Sequence, residues 1–419
     1  MGKMLPSLFA VSGLAAFVLA PSASRAADLI RLVNFNGTNG EAPYAGLIAD
    51  ANGNLFGTTT LGGANGRGTV FEIAKTSSGY ANASTTLVSF NGADGARPTA
   101  ALVFDSDGNL FGTAELGGAN KVGVVFEIAK TAGGYANTPT TLASFNGANG
   151  ADPVAALIID ANGNLFSTTT RGGARNLGTV FEITKTSSGY ANAPITLVSF
   201  NGADGAEPAG GLLSDGNGNL FGTTSLGGAS GRGTVFEIAK TASGYANAPT
   251  TLVSFNGTNG AEPMATLIAD ADGNLFGTTE SGDPGRQRPL GTVFELAKTA
   301  SGYASAPTTL SSFDGTLVGF FRAGVIADAN GNLFGAGPHG AFEIAKTPLG
   351  YASVPTILAL LNRRATGLTP LGGLLADANG NLIGTTEEGG VLPVPSGTVY
   401  AITGSGFVTP AGKGESPRK

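Results

Sequence analysis

The chain has 419 residues, of which 42% are hydrophobic and only 12% are charged, and its formal net charge is −6. An acidic chain lacks the electrostatic footprint of a nucleic-acid-binding protein. Cysteine is absent, which excludes thiol catalysis and thiolate metal sites, and the single histidine, His339, excludes a multi-histidine metal site. The composition therefore predicts neither a metal nor a cofactor.

Residues 1–26 form the first predicted element, a cleaved secretory signal. Lys3 gives a positive start, Leu5–Ala20 is an interrupted apolar run, and Ser24-Arg25-Ala26 fits a cleavage site of small residues. The apolar run is too short to favour a membrane anchor, and no later segment is apolar enough to span a bilayer. Cleavage removes Lys3 and Arg25 and changes the net charge from −6 to −8. We therefore predict an acidic protein in the periplasm or outside a bacterial cell.

Seven copies of the sequence Gly-Asn-Leu-Phe-Gly-Thr-Thr, with small changes, dominate the rest of the chain. They begin at residues 53, 108, 163, 218, 273, 331 and 380. The spacing between copies is 55 residues four times, then 58 and 49. A period of this length is typical of repeat architectures, in which each unit packs on its neighbours.

An aspartate precedes each copy by three residues, and a turn follows it. These residues are Asp50, Asp105, Asp160, Asp215, Asp270, Asp328 and Asp377. Asn-Gly and Asp-Gly supply positive φ at low cost, and an aspartate side chain accepts backbone N–H bonds, so the pattern favours a tight structural turn. A calcium-binding loop is the alternative, but an EF-hand needs glycine at position six and a distal acid, whereas glycine stands here at position four.

Each unit is predicted to contain four short strands. In the first unit these are Ala45–Asp50, Asn54–Thr60, Gly68–Ile73 and Thr85–Phe90. Clusters of Gly, Asn and Pro separate the strands, and their apolar runs suit sheets that are covered on both faces. Four-stranded sheets repeated around an axis form a β-propeller. The predicted fold class is therefore all-β, a seven-bladed β-propeller with four-stranded blades.

The two ends of the repeat region predict that the ring closes. The last unit supplies three strands and stops, whereas Ile30–Phe35 has the sequence of a fourth strand with no unit before it. We expect this N-terminal strand to complete the last blade. The predicted blades span about 44–98, 99–153, 154–208, 209–263, 264–321, 322–370, and 371–404 together with 29–43, within a propeller at 27–404; residues 405–419 are predicted to be a disordered polar tail.

Aromatic residues follow the same period. Three repeat positions, which begin at Phe35, Phe56 and Phe71, hold 18 of the 24 phenylalanines and predict packing between blades. One tyrosine and one lysine recur in six of the third connections, starting with Tyr80 and Lys75. We expect each tyrosine ring to pack on its own blade with the lysine in solvent. The alternative is a repeated face that stacks on sugars.

The later units diverge, and this sector is the candidate ligand-binding site. The residues are Arg286, Arg288, Phe320, Phe321, Arg322, His339, Arg363 and Arg364. If the ring closes, they lie on one face of adjacent blades. A basic and aromatic patch on an acidic protein can bind an anionic ligand, whereas neutral drift of ageing repeats is the plainer explanation. No catalytic residue is predicted.

Carboxylates in the connections between blades support a second candidate function. They are Glu41, Asp94, Asp152, Asp204, Glu207 and Glu262. Two of them near the central opening, about 5–10 Å apart, would have the spacing of a glycosidase pair. Their regular repetition favours a solvated rim over such a pair.

The unit resembles the GloVer tandem repeat, a family of exported bacterial proteins. The resemblance rests on Gly-Asn-Leu-Phe-Gly-Thr-Thr at 53–59 followed by Gly-Gly-Ala-Asn-Gly-Arg-Gly-Thr-Val-Phe-Glu-Ile at 62–73, and it covers nearly all of 30–403. More distantly, the Asp-x-x-Gly-Asn-Leu hairpins resemble those of sensor-kinase propeller domains. The family implies export and a propeller-like array, and it supplies no catalytic residues. Varied C-terminal anchors are typical of the family, whereas the tail at 404–419 is short and polar, which favours a released protein.

The most favoured function is an exported, monomeric, non-catalytic binding or scaffold module. Its expected partner is a cell-surface glycan or a protein. The alternatives are a polysaccharide hydrolase or lyase that uses rim carboxylates, and a calcium-binding repeat protein. The sequence predicts no nucleic-acid partner and no membrane span after signal cleavage.

Overall fold

The computed structural model describes residues 27–410, apart from 283–289, 314–320, 339 and 391–395. The described chain is all-β and forms seven four-stranded antiparallel sheets, which are the blades of a β-propeller. The predicted fold class is confirmed. Among the described residues no helix is long and apolar enough to cross a membrane. The predicted signal at 1–26 lies outside the described residues.

In the first six blades the strands follow one another outward from the axis in chain order, and in the seventh the outermost strand comes from the N-terminus. The first, innermost strands are Ile48–Ala49, Val103–Phe104, Ile158–Ile159, Leu213–Ser214, Ile268–Ala269, Ile326–Ala327 and Leu375–Ala376. The second strands are Leu55–Thr59, Leu110–Ala114, Leu165–Thr169, Leu220–Thr224, Leu275–Thr279, Leu333–Gly337 and Leu382–Thr386.

The third and fourth strands complete each blade. The third strands are Thr69–Ile73, Val124–Ile128, Thr179–Ile183, Thr234–Ile238, Leu290–Leu296, Gly340–Ile344 and Thr398–Thr403. The fourth, outermost strands are Thr85–Ser89, Thr140–Ser144, Ile195–Ser199, Thr250–Ser254, Thr308–Phe313, Thr356–Leu360 and, from the N-terminus, Asp28–Asn34. The first strands are shorter than predicted, because the residues before them line the axis.

The N-terminal strand closes the ring, as predicted. Asp28–Asn34 pairs antiparallel with the third strand of the seventh blade, with Asp28 opposite Thr403 and Asn34 opposite Thr398. The seventh sheet is thus built from both ends of the chain. The ring is closed by the backbone hydrogen bonds between these two strands and not by a covalent bond.

Phenylalanine rings pack between the blades, as the repeat positions predict. Phe35 contacts Phe71 edge-on with ring centroids 5.0 Å apart, and Phe90 contacts Phe126 in the same way at 5.0 Å. All four rings are fully buried. Burying a phenylalanine side chain contributes about 1.5–3 kcal/mol, so this repeated pair stabilises six of the seven seams. Leu361 and Tyr400 stand at these positions in the seam between blades six and seven.

Threonine hydroxyls add hydrogen bonds from one blade to the next. Each donates to a carbonyl oxygen beside the next innermost strand. The bonds are Thr58 to Ala100 at 3.1 Å, Thr113 to Ala155 at 3.0 Å, Thr223 to Ala265 at 3.1 Å, Thr278 to Ala323 at 3.0 Å and Thr385 to Ala45 at 2.8 Å. Ala336 stands at this position in the sixth blade and supplies no hydroxyl, so the seam between blades six and seven lacks this bond.

The repeated aspartates close the turns between first and second strands. In the first blade, Oδ1 of Asp50 accepts the backbone N–H of Asn52 at 2.9 Å and of Asn54 at 2.8 Å, and Oδ2 accepts from the Asn54 side chain at 2.9 Å. The same three bonds form around Asp377. Burial opposes ionisation there, but these hydrogen bonds and the charge of Lys75 lower the pKa of Asp377.

The third connections fold into small hairpins on the same face as these turns, which we call the turn face. In each hairpin, a two-residue strand that begins with the lysine pairs with a two-residue strand that ends with the tyrosine. They are Lys75–Thr76 with Gly79–Tyr80, Lys130–Thr131 with Gly134–Tyr135, Lys185–Thr186 with Gly189–Tyr190, Lys240–Thr241 with Gly244–Tyr245, Lys298–Thr299 with Gly302–Tyr303, and Lys346–Thr347 with Gly350–Tyr351.

The described part of the seventh blade has no such hairpin, and residues 404–410 take its place. Phe407 packs on Phe334 of the sixth blade with centroids 5.0 Å apart, much as Tyr351 packs on Phe276 at 5.6 Å. The backbone carbonyl of Val408 accepts the N–H of Ala329 at 2.9 Å. The segment at 405–410, expected to belong to a disordered tail, therefore forms defined contacts across the seam that lacks the threonine bond.

Candidate functional site

The axis of the propeller is lined by the residues that precede each innermost strand. All seven blades contribute to this channel. Six blades begin with an entry proline: Pro43, Pro98, Pro153, Pro208, Pro263 and Pro370; Phe321 stands at this place in the sixth blade. We call the residue that follows it the axial position. The axial residues are Tyr44, Thr99, Val154, Ala209, Met264, Arg322 and Leu371.

The channel opens into a cavity on the face opposite the turn face. This loop face carries the glycine-rich loops and the connections between blades, since Glu41 and Leu61 exchange backbone hydrogen bonds there. The cavity, which we call the mouth, has a volume of about 380 Å³. Residues that line it are Tyr44, Thr60, Arg97, Thr99, Glu115, Val154, Thr170, Ala209, Met264, Arg322 and Glu387. This volume falls within the range of about 300–1,000 Å³ that is usual for small-molecule sites.

The axial position differs in every repeat. The seven axial positions carry seven different residue types. By contrast, the exposed threonine of the turn-face hairpins is the same residue in all six copies, starting with Thr76. The ring is thus nearly symmetric on the turn face and asymmetric around the mouth.

Backbone strain also concentrates at the mouth. In the six blades that have an entry proline, the residue before the proline adopts positive φ, although none of these residues is glycine. These residues are Ala42, Arg97, Asp152, Glu207, Glu262 and Thr369, with φ between 53° and 61°. Such a conformation costs of order 1–3 kcal/mol and needs the surrounding structure to hold it.

Hydrogen bonds hold this strained backbone. The N–H of Arg97 donates to the Arg67 carbonyl at 2.9 Å, and the Arg97 carbonyl accepts from the Glu115 N–H at 3.1 Å. The side chain of Arg97 is thereby fixed at the cavity wall.

Three arginines around the mouth, Arg97, Arg171 and Arg322, are each paired with a carboxylate. Arg97 lies 3.4 Å from Glu115, and Arg171 lies 3.7 Å from Asp152. Burial raises the pKa of Glu115, and the neighbouring Asp152 acts in the same direction against the two arginines. Blades two and three therefore present an arc of alternating charge.

Arg322 reaches across the axis. Its Nε lies 3.3 Å from Oε1 of Glu280, and its Nη1 donates to the hydroxyl oxygen of Tyr44 at 3.0 Å. Blades one, five and six are thereby joined by side chains at the mouth. Nearby, burial and the adjacent Glu388 raise the pKa of Glu387, while Arg322 acts in the opposite direction.

The structure describes four of the eight ligand-binding residues expected from the sequence. Arg322 lies at the mouth, but Phe321 is 1% exposed and packs between Phe313 and Phe342. Arg363 pairs with Glu388 at 3.1 Å, and the Arg364 carbonyl accepts a hydrogen bond from Arg31. Arg286, Arg288, Phe320 and His339 lie outside the described residues.

The tyrosine rings are not free for stacking on sugars. Tyr135 packs edge-on against Phe56 of the preceding blade at 5.4 Å, and the Lys130 ammonium lies 4.9 Å from the ring centroid. The same pairings recur in later blades, as with Tyr190, Phe111 and Lys185. The rings therefore pack on a neighbouring blade, where packing on their own was expected, and the lysines cover them by cation–π contact.

The described carboxylates do not form a cluster of three or more that could hold a metal ion. The repeated aspartates direct both oxygens to their own turns. Sequence reasoning missed Tyr44, Thr60, Arg97, Thr99 and Glu115. Comparison of the axial position across the repeats would have identified the mouth, because only there do all seven copies differ.

These features define a seven-bladed β-propeller repeat protein with an asymmetric axial mouth. The chain belongs to the Gloeobacter/Verrucomicrobia repeat family, whose model matches residues 15–193 and 135–343. The resemblance read from the repeat motif is confirmed. No curated protein matches the sequence significantly.

Solved structures show the same fold at low sequence identity. The extracellular domain of a putative one-component system from B. thetaiotaomicron is similar with a TM-score of 0.56 and 10% identity, over 90% of this chain and 40% of that chain. A puromycin hydrolase is similar with a TM-score of 0.51 and 15% identity, over 85% of this chain and 52% of that one. This chain thus spans about half or less of each of these proteins, and the similarity concerns the fold alone.

Proposed function

We propose that this protein is an exported, non-catalytic binding module whose ligand occupies the mouth of the propeller. The cavity is concave, lies on the axis and combines polar and charged side chains with the apolar Val154, Ala209 and Met264. A concave cavity of this size that presents orienting polar groups is a usual small-molecule site. Export is supported by the sequence pattern of residues 1–26 and by the repeat family.

One observation carries the proposal: no two repeats share a residue at the axial position. The six turn-face hairpins, by contrast, keep the same threonine, lysine and tyrosine. A symmetric ring presents the same chemistry in every direction. Seven different axial residues allow one asymmetric ligand to be held in one orientation.

The paired charges at the mouth favour binding over catalysis. Glu115 and Asp152 each lie beside an arginine, and such pairs orient a ligand through fixed donors and acceptors. A glycosidase needs one carboxyl group as acid and another as base or nucleophile. Glycan fragments incubated with the protein should therefore show no new reducing ends, and their release would favour the hydrolase alternative.

The test is a thermal-shift screen of the mature protein and a variant with a blocked mouth. Ala209→Trp fills the cavity, and the fold accommodates large residues there because other blades carry Tyr44, Met264 and Arg322 at the same position. Ser78→Trp, on the exposed turn face, is the matched control. A ligand at a hundred times its Kd stabilises the protein by about 2.7 kcal/mol.

The expected result is a library compound that stabilises the wild type and Ser78→Trp but not Ala209→Trp. A hit that stabilises all three proteins equally would place binding elsewhere and refute the proposal. The library should include saccharides, amino acids, short peptides and nucleotides, so that no ligand class is assumed.

Export has its own test. An epitope-tagged full-length chain should appear in the periplasm or medium of a Gram-negative host, without residues 1–26, whereas a chain that begins at residue 27 should remain in the cytoplasm. A full-length chain that stays uncleaved in the cytoplasm would refute the exported part of the proposal.

A further inference from the structure

Two hydroxyl groups at the mouth lack hydrogen-bond partners among the described residues. They are Oγ1 of Thr60 and Oγ1 of Thr99, and both atoms are buried. Thr60 is only 6% exposed as a residue, and both threonines line the cavity. Buried hydroxyls in proteins are nearly always paired, so an exception at a cavity wall needs an explanation.

The equivalent residues in other blades are paired. Oγ1 of Thr170 donates to the Asp152 carbonyl at 2.9 Å, and Oγ of Ser225 donates to the Glu207 carbonyl at 2.9 Å. Thr60 has the same kind of carbonyl beside it, since its own backbone N–H donates to Ala42 at 3.0 Å. Its hydroxyl nevertheless does not make this bond. The unpaired state is therefore a property of the sector between blades one and two, not of the repeat.

Both arginines that line the mouth lie beside a carboxylate. Arg97 pairs with Glu115 and Arg322 with Glu280, so part of each positive charge is already neutralised within the protein. The groups that still require partners are neutral hydroxyls, and each of these can both donate and accept a hydrogen bond. This pattern matches a ligand rich in hydroxyl groups and without charge.

The rest of the wall suits such a ligand. Tyr44 lines the same cavity as the two threonines, and Val154, Ala209 and Met264 add apolar side chains to the wall. Sugar rings present hydroxyl groups at their edges and C–H groups on their faces. Tyr44 receives a hydrogen bond from Arg322, so its own hydroxyl proton remains available to donate.

We infer that the mouth binds a neutral saccharide, with the hydroxyls of Thr60 and Thr99 as direct hydrogen-bonding partners and Tyr44 beside the sugar ring. This inference rests on the proposed binding function. Both threonines line the cavity, and in this proposal rotation about the Cα–Cβ bond turns each Oγ1 atom toward the ligand. No covalent step is involved.

The experiment is calorimetric titration of the mature protein with three sets of probes. The first set is neutral hexasaccharides of glucose, mannose and xylose. The second is oligogalacturonate and sulfated chondroitin fragments, and the third is uncharged tripeptides. At least one neutral hexasaccharide should bind, and the charged saccharides and peptides should not.

Thr60→Val and Thr99→Val then test the hydroxyls. Each variant keeps the side-chain shape, removes one hydroxyl and should weaken binding of the neutral hexasaccharide about fivefold to tenfold. Neither should lower the thermal midpoint of the free protein, since the lost hydroxyl has no internal partner. Thr60→Ser retains a hydroxyl and should retain binding. Ser225→Ala, which removes a paired hydroxyl outside the cavity lining, is the control and should bind as the wild type does.

The outcomes separate the two claims. A probe of another class that binds the wild type but not Ala209→Trp, together with no binding of neutral saccharides, would overturn the saccharide inference and leave the binding module standing. Failure of every probe and of the wider thermal-shift library would overturn both. Saccharide binding that is unchanged in Thr60→Val and Thr99→Val would also refute the assigned contacts.

Discussion

Tyr400 offers a direct test of how the interior of the blades is packed. It is fully buried at 0% exposure, and its hydroxyl has no hydrogen-bond partner among the described residues. The other six blades carry phenylalanine at this position: Phe71, Phe126, Phe181, Phe236, Phe294 and Phe342. Tyr400→Phe therefore removes one unsatisfied oxygen and keeps the ring.

The expected gain follows from the burial. Leaving a buried hydroxyl unsatisfied costs about 1–3 kcal/mol, and removal of an oxygen leaves only a small void in return. We expect Tyr400→Phe to raise the free energy of unfolding by about 1–2 kcal/mol. The reverse change, Phe71→Tyr, places a hydroxyl in the same environment in the first blade and should lower stability by at least as much.

Chemical denaturation followed by circular dichroism measures both changes, because the protein has no tryptophan to report unfolding by fluorescence. The midpoint should rise for Tyr400→Phe and fall for Phe71→Tyr with an unchanged denaturant slope. A lower midpoint for Tyr400→Phe would refute the reasoning and would indicate that a buried water pairs with the hydroxyl.

Three further predictions concern the turns, the C-terminal segment and pH. Asp215→Ala loses three hydrogen bonds at 2.9 Å to Asn217 and Asn219 and should cost about 2–4 kcal/mol in denaturation; Asp215→Asn should cost less, and equal effects would contradict the carboxylate's role. Phe407→Ala removes a partly buried ring and should lower the free energy of unfolding by about 1–2 kcal/mol. It should also speed amide hydrogen exchange around Asp328, and unchanged exchange would show that residues 404–410 do not stabilise the sixth blade. Burial, with the charge of Asp328, raises the pKa of Glu343 from 4.5. The native state therefore binds this proton more tightly than the unfolded chain does, and the free energy of unfolding should fall as pH rises above 4.5. Glu343→Gln should flatten that slope, and an identical slope in the variant would contradict the assignment.

The closed ring was predictable because each of its parts has a recognisable sequence pattern. The seven aspartate turns mark the hairpins, and the unpaired strand near the N-terminus has only one incomplete blade to join. The buried series that begins at Phe56 and Phe71 repeats so regularly that only a stacked architecture explains it. Local turn chemistry and hydrophobic period point to the same fold here.

The candidate site was not predictable in the same way. Divergence in the later blades drew attention to Phe321, but this ring fills an inter-blade space that the entry proline occupies elsewhere. An aromatic residue in a variable segment is as consistent with packing as with binding, and the sequence does not distinguish them. The unpaired hydroxyl of Thr60 depends on a rotamer, which only the three-dimensional structure shows.

The third and fourth strands of the seventh blade pair only when both have been made. Asp28–Asn34 finds its partner at Thr398–Thr403, so the edge of this early strand must wait for almost the entire polypeptide to be synthesised. Until then the growing array has an open strand edge, which is a template for unwanted pairing. Circularisation is therefore a late event with a high loop-closure cost, and it should set the folding rate of the whole protein. A permuted chain whose ends fall between two complete blades would remove this wait and should fold faster to the same ring.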